Sequence, residues 1–219
     1  MSGTGAFVVV GAGPGLGAAA ARRFGHEGYP VGLIARGAGA LDQVAAGLVA
    51  EGITTATEAA DVTDEKALTV ALGALRERLG PIEVVLFSPR PSLGWIKPVL
   101  ATAPSDLEAA LALSVVAAAA VVRAVVPDMR RRGHGTLLFT TGGAAVEPHR
   151  DRAVSGIAYA AESAYTRMLH DTLADDGVHA AQVTVVGPIG PGARHEPDEV
   201  AEALWRLHTT RDQPLLVLR

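Results

Sequence analysis

The sequence predicts an α/β domain in which a doubly wound parallel sheet of about seven strands carries helices on both faces. Three observations predict it. Short β-branched runs alternate with longer Ala- and Leu-rich stretches of helical spacing from end to end, the pattern of a parallel sheet covered by helices. Hydrophobic residues make up 49% of the chain against 19% charged, enough to fill a sizeable core and too apolar for disorder. The 219 residues show no low-complexity linker, composition break or solenoid-length repeat, so residues 1–219 read as one domain.

Taken in order, the strands are Ala6–Val10, Pro30–Ala35, Thr54–Ala60, Ile82–Phe87, Gly135–Thr140, His179–Val186 and Pro214–Leu218. Each is a β-branched or apolar run bounded by Gly, Pro or Asp. Helices fill the intervals near Gly15–Glu27, Ala40–Glu51, Asp64–Leu79, Pro104–Arg132, Tyr159–Asp175 and Pro197–Leu207, where apolar positions recur every three or four residues. The longest uncharged apolar run, Ala109–Val122, falls short of the roughly 20 residues that span a bilayer and reads as a buried helix. Met1-Ser2-Gly3-Thr4-Gly5 leads into the first strand without a basic segment, so no leader peptide is expected.

Composition removes several function classes. A net charge of −4 provides no basic field for a polyanion, and the cluster Arg130-Arg131-Arg132 at a helix end suits the helix dipole better than a nucleic acid. With no cysteine there are no disulfides, thiolate nucleophiles or Cys-ligated metals, and the chain fits a reducing, cytoplasmic compartment. No His-x-x-x-His or His-Glu-x-x-His pattern occurs, so no metal site is expected. Of the 19 basic residues, all but Lys66 and Lys97 are arginine, which leaves two candidates for any lysine-dependent chemistry.

The segment carrying most information is Gly11-Ala12-Gly13-Pro14-Gly15-Leu16-Gly17, set between the first strand and the helical run from Ala18 to Phe24. Glycines there allow a tight turn and let backbone N–H groups and a helix N-terminus approach a diphosphate. The spacing Gly11-x-x-x-Gly15-x-Gly17 resembles the glycine motif of the short-chain dehydrogenase/reductase family, with Val10 where that motif has threonine. Asp61-Val62 after the third strand resembles the family's adenine-contacting pair, and Asp106-Leu107, Gly135-Thr136-Leu137-Leu138-Phe139 and Thr172-Leu173-Ala174 continue the likeness. The resemblance covers almost the whole chain and implies a Rossmann-like fold with a nicotinamide dinucleotide held by Gly11, Gly13, Pro14, Gly15, Leu16, Gly17, Asp61 and Val62. It also implies contributions from Ser88, Pro89 and Arg90 after the fourth strand and from Pro188 and Ile189 after the sixth. At the end of the second strand, Arg36 can pair with a 2′-phosphate, whereas an acidic residue would accept from a ribose 2′-hydroxyl, so NADP is favoured over NAD.

The family transfers hydride between nicotinamide and a carbonyl or alcohol, using a tyrosine, a lysine four residues later, a serine and an asparagine. Tyr159 aligns with the tyrosine through Leu169 and Thr172-Leu173-Ala174. The lysine position is Ser163, the serine position is Gly142 with Thr141 beside it, and the asparagine position is Ser114. The tract from Gly142 to Tyr159 is a few residues longer than is usual in the family, and a second register would put Ser155 and Tyr159 at the tyrosine and lysine positions. Either register lacks the lysine. The catalytic candidates are therefore Tyr159, Thr141, Ser163 and Ser114, with Arg90 and His149 as substitutes for the absent charge or relay.

Val186 to Ala193 leads almost directly to the helix at Pro197, where the family usually inserts a substrate-covering lid, so a shallow pocket or one completed by a partner is expected. The resemblance implies a homodimer or homotetramer through the fourth and fifth helices. The leading reading is an atypical NADP-dependent oxidoreductase with a small-molecule substrate and no membrane or nucleic-acid partner. A catalytically silent NADP-binding sensor or assembly protein and a non-redox use of the same pocket are the alternatives.

Overall fold

In the computed structural model, which describes residues 5–219, β1 (Ala6–Val10) is the third strand from one edge of a seven-stranded parallel sheet. The remaining strands are β2 (Val31–Ala35), β3 (Thr55–Ala59), β4 (Ile82–Phe87), β5 (Gly135–Gly142), β6 (Val178–Val185) and β7 (Leu215–Leu218), in the order β3-β2-β1-β4-β5-β6-β7. Met1–Thr4, on which part of the leader expectation rests, lie outside the described residues.

Strand alternation divides the core in two. Ala6, Val8 and Val10 face the layer made by α3 (Glu65–Leu79), α5 (Ala117–Arg132) and α6 (Ala153–Leu173), while Phe7 and Val9 face α1 (Leu16–His26), α2 (Ala38–Ala50) and α7 (Pro197–Thr210). On the second side Phe7 stacks on Phe24 at 4.0 Å between ring centroids, fixing α1 over the sheet. Because the chain leaves β1 toward β2 on one side and reaches β4 on the other, the strand order reverses between β1 and β4. Crevices at such reversals, beyond the C-terminal ends of the strands, are where ligands bind in open α/β sheets.

The structure departs from the sequence expectations at three elements. The helix expected from Tyr159 begins six residues earlier, at Ala153, so Ser155 and Tyr159 share α6. The long fourth helix is α4 (Pro104–Leu111) and α5 joined by a π-helical turn, Ala112–Val116. That whole stretch, Pro104–Arg132, is long and apolar enough to cross a membrane by composition, but half of its most apolar window is buried within the fold. Third, 3₁₀ turns at Leu93–Trp95, Val99–Ala101 and Gly143–Ala145 shape the loops above β4 and β5.

Candidate functional site

The glycine-rich turn is built by hydrogen bonds before any ligand is considered. Gly11 and Ala12 both donate N–H to the Ile34 carbonyl, and Ser88 donates to Val10, tying the ends of β1, β2 and β4 together. Gly11 has φ +92°, and a Cβ there would stand 2.5 Å from Pro89 Cα. Only glycine satisfies both demands. Gly17 lies 3.2 Å, measured from its would-be Cβ, from Ala12 Cα, which lets α1 pack closely on the turn. Gly13 and Gly15 differ: nothing lies within 4 Å of a Cβ on either, so this side of the turn faces open space. Gly15 caps α1 without a side-chain bond, leaving the first helical N–H groups for an external acceptor. Pro14 is exposed and Leu16 half-buried beside them. These residues fit a diphosphate.

Arg36 stands exposed at the end of β2, next to Gly37, which caps α2 without a side chain. Asp61 Oδ1 accepts from Thr63 N–H and Oγ1, which together with the more distant Arg36 charge hold its carboxyl below the usual range. Val62 beside it is buried. The turn, Arg36 and the Asp61-Val62 pair thus lie along the C-terminal edge of β1, β2 and β3. They are placed to hold the adenosine half of a dinucleotide.

Above β4 and β5 the geometry identifies the second half of the site. The ring of Tyr159 lies over Gly142: a Cβ on Gly142 would be 3.2 Å from Tyr159 Cε2. Gly142 ends β5 and Tyr159 is on the second turn of α6, so the residue at the family's serine position and the tyrosine are brought together. Ser155 instead donates to the Arg152 carbonyl at the start of α6. Burial pushes the Tyr159 phenol up to about 12, with a smaller contribution from the charge of Glu162.

Ser163 is buried and donates to the Tyr159 carbonyl at 2.9 Å. Its Oγ also accepts from Gln182 Nε2, which lies 2.8 Å from Ser163, Thr141 and Thr184 alike, so two N–H groups serve three hydroxyls. Thr141 and Thr184 hydroxyls are 3.0 Å apart, and Thr166 reaches Gln182 Oε1 at 3.4 Å. Two of the catalytic candidates, Thr141 and Ser163, therefore meet, but around Gln182 in a buried, uncharged network that pins α6 to β5 and β6. Ser114 is buried in the π turn, which packs against α6. Insertions of this kind inside helices often mark functional sites.

The other candidates sit on the rim. Ser88 Oγ accepts from Thr140 Oγ1 at 2.6 Å, Pro89 closes over Gly11, and Arg90 is exposed. His149 is exposed and accepts from Asp151 N–H. Lys97 Nζ is held by both Asp106 oxygens, at 2.7 and 2.9 Å, so it fastens the loop to α4 instead of supplying a free cation. In the basic cluster, Arg130 pairs with Asp176, and Arg131 and Arg132 with Asp128. Pro188 and Ile189 are exposed on the short connector after β6, where Ile189 bridges to buried His195, whose Nδ1 lies 3.2 Å from Glu199. Sequence reasoning missed Gln182, Glu162 and His195. The four-residue step from Ala158 through Glu162 to Thr166 was the available sign that Glu162 faces inward.

Comparison with known proteins places these features in a family. The family model described as short chain dehydrogenase matches residues 6–196. A fatty acyl-CoA reductase of Mycobacterium tuberculosis is 27% identical over 176 residues, 79% of this chain, which spans 59% of that protein's length. Gluconate 5-dehydrogenase of Gluconobacter oxydans is 28% identical over 183 residues, 83% of this chain and 69% of that protein. A solved metagenomic short-chain oxidoreductase in complex with NADP superposes with a TM-score of 0.85 at 26% identity, covering 100% of this chain and 99% of the other. The glycine turn at the β1/β4 crevice, the sheet order and the match over residues 6–196 agree: the chain belongs to the short-chain dehydrogenase family.

Proposed function

We propose that the protein is an NADP-dependent oxidoreductase acting on a carbonyl or alcohol, with a proton relay that differs from the family's. The observation carrying this reading is that one edge of the sheet holds both the open glycine turn after β1 and Tyr159 seated on Gly142 after β5. A bound nicotinamide would supply the hydride. The turn and the exposed guanidinium of Arg36 would hold its diphosphate and 2′-phosphate, and Tyr159 would exchange a proton with the substrate oxygen.

Fluorescence titration with NADPH and NADH tests the cofactor reading: tighter NADPH binding is expected, and tighter NADH binding would overturn it. A screen of ketones and aldehydes against the wild type and Tyr159→Phe tests the chemistry. The substitution should lower turnover by about 100-fold, as loss of a proton-transferring group does. Unchanged turnover would remove Tyr159 from the mechanism.

The uncharged Gln182 network around Ser163 supports a second reading, an NADP-binding sensor or assembly protein without turnover. NADPH binding with no hydride transfer across the screen would select it. Under either reading we infer a soluble cytoplasmic protein assembled as a homodimer or homotetramer through α5, with the π turn before it, and α6, where Val116 of the π turn and Ile157 and Met168 of α6 are exposed.

A further inference from the structure

The side chain of Glu162 is 2% exposed, and among the described residues its Oε1 is the only buried carboxyl oxygen without a hydrogen-bond partner. Leaving such an acceptor unpaired costs on the order of 1–3 kcal/mol, so the position calls for a reason. Ala158, Glu162, Thr166, Leu169 and Leu173 succeed one another at three- and four-residue steps along the buried face of α6. Tyr159 precedes Glu162 by three residues, a separation at which helical side chains are neighbours. The surrounding polar groups are otherwise committed. Gln182 and Thr184 of β6, Thr141 of β5, and Ser163 and Thr166 of α6 bond one another, and the π turn contributes the buried Ser114 hydroxyl. These elements offer the carboxyl no cation. Burial alone pushes Glu162 well above the usual carboxyl range, favouring its protonated form.

We propose that Glu162 acts through Tyr159, as the positioning residue that resupplies the phenol's proton during carbonyl reduction, in the helical turn where Ser163 replaces the family's lysine. The inference rests on the oxidoreductase reading above. As a carbonyl carbon accepts hydride from the reduced nicotinamide, its oxygen takes the Tyr159 O–H proton and becomes a hydroxyl. The Tyr159 oxygen recovers a proton released by the Glu162 carboxyl, and the carboxylate is reprotonated from solvent. The sum is one hydride from the reduced dinucleotide, which leaves oxidised, and one solvent proton per alcohol formed.

A lysine would stabilise a phenolate by its charge; a neutral acid instead prevents one from accumulating. A carboxyl is intrinsically a stronger acid than a phenol, and burial raises both groups here, so proton flow toward the Tyr159 oxygen has a source in the neighbouring acid. Nothing in the arrangement stabilises a phenolate waiting to deprotonate an alcohol. The proton-loaded resting site is the form from which carbonyl reduction starts.

Tyrosinate absorbance of the apoprotein, titrated through high pH, tests the coupling without turnover. Burial pushes Tyr29 up to about 12 as well, so Tyr159→Phe should remove one of two transitions near 12; in a Tyr29→Phe background Glu162→Gln should shift the remaining Tyr159 transition down by about half a unit or more, because an ionisable neighbour is gone. With NADPH and a carbonyl found in the screen, Glu162→Gln should lower kcat about tenfold or more while NADPH affinity stays within about twofold. Glu162→Asp, which keeps the acid, should recover part of that loss; it also serves if the Gln variant fails to fold. An unmoved tyrosinate transition, or a shifted transition with unchanged kcat, overturns the relay. Absence of hydride transfer by the wild type, or turnover insensitive to Tyr159→Phe, overturns the oxidoreductase reading instead, while the tyrosinate titration still reports whether Glu162 and Tyr159 are coupled.

Discussion

Gly11 shows how tightly a single position can be specified. Its φ of +92° and the 2.5 Å between its would-be Cβ and Pro89 Cα mean that any side chain must strain the backbone and push the β4 loop away. Gly11→Ala should therefore cost about 2 kcal/mol or more, seen as a lower Tm, and should weaken NADPH binding because the same turn carries both demands. Gly13 and Gly15, by contrast, have open space beside them, so alanine there should leave Tm nearly unchanged and reduce affinity alone. These glycines are legible in sequence because their chemistry is local. Glu162 is not. In Ala160-Ala161-Glu162-Ser163 it reads as a surface charge, and only the packing of α6 on β5, β6 and the π turn turns it inward. Gln182 is hidden for the same reason: a polar residue inside a strand gains meaning only from the hydroxyls that other elements bring to it.

At the scale of elements, β6 and α7 each carry a histidine at the edge of the sheet opposite the candidate site. His179 is buried with Nε2 unpaired, and the His208 ring lies between the Tyr29 hydroxyl at 3.0 Å and the Thr136 hydroxyl at 2.9 Å. Burial is the main reason that both are lowered from 6.5 to about 4; for His179 the nearby Arg211 charge adds to it. Because the unfolded chain takes up these protons near pH 6.5 and the folded chain only near 4, stability is full above about 6.5 and declines as pH falls toward 4. Thermal unfolding across that window should show the decline. His179→Leu, which breaks no side-chain hydrogen bond among the described residues, should recover about 1–3 kcal/mol at the acid end, whereas an unchanged acid limb would exclude His179 as its source. The succession of strands and helices that brings these residues together is readable from hydrophobic period. The start of α6 at Ala153 and the π turn at Ala112–Val116 are not, because Gly156 weakens the local helical signal and an i→i+5 turn is selected by what packs against it.

For the whole molecule, the sheet order explains why the candidate site residues gather along one edge of the sheet. All seven strands run parallel, so every loop leaving a C-terminal strand end contributes to the same rim, and the β1/β4 reversal opens it. The helices of the β5 side leave apolar side chains uncovered: Val116 is 62% exposed and Met168 59%. If these faces join subunits, Met168→Glu should lower the molecular mass measured by light scattering toward that of one chain without changing NADPH affinity in the dissociated form. Unchanged mass would place the interface elsewhere.

The connector after β6 has a kinetic consequence. Gly190 donates to the His195 carbonyl, His195 N–H to the Pro188 carbonyl, and the buried His195 ring anchors the turn beside α7. Under the proposed oxidoreductase reading, a connector pinned in this way should stay in place while molecules exchange, so their binding and release should need no movement of this segment.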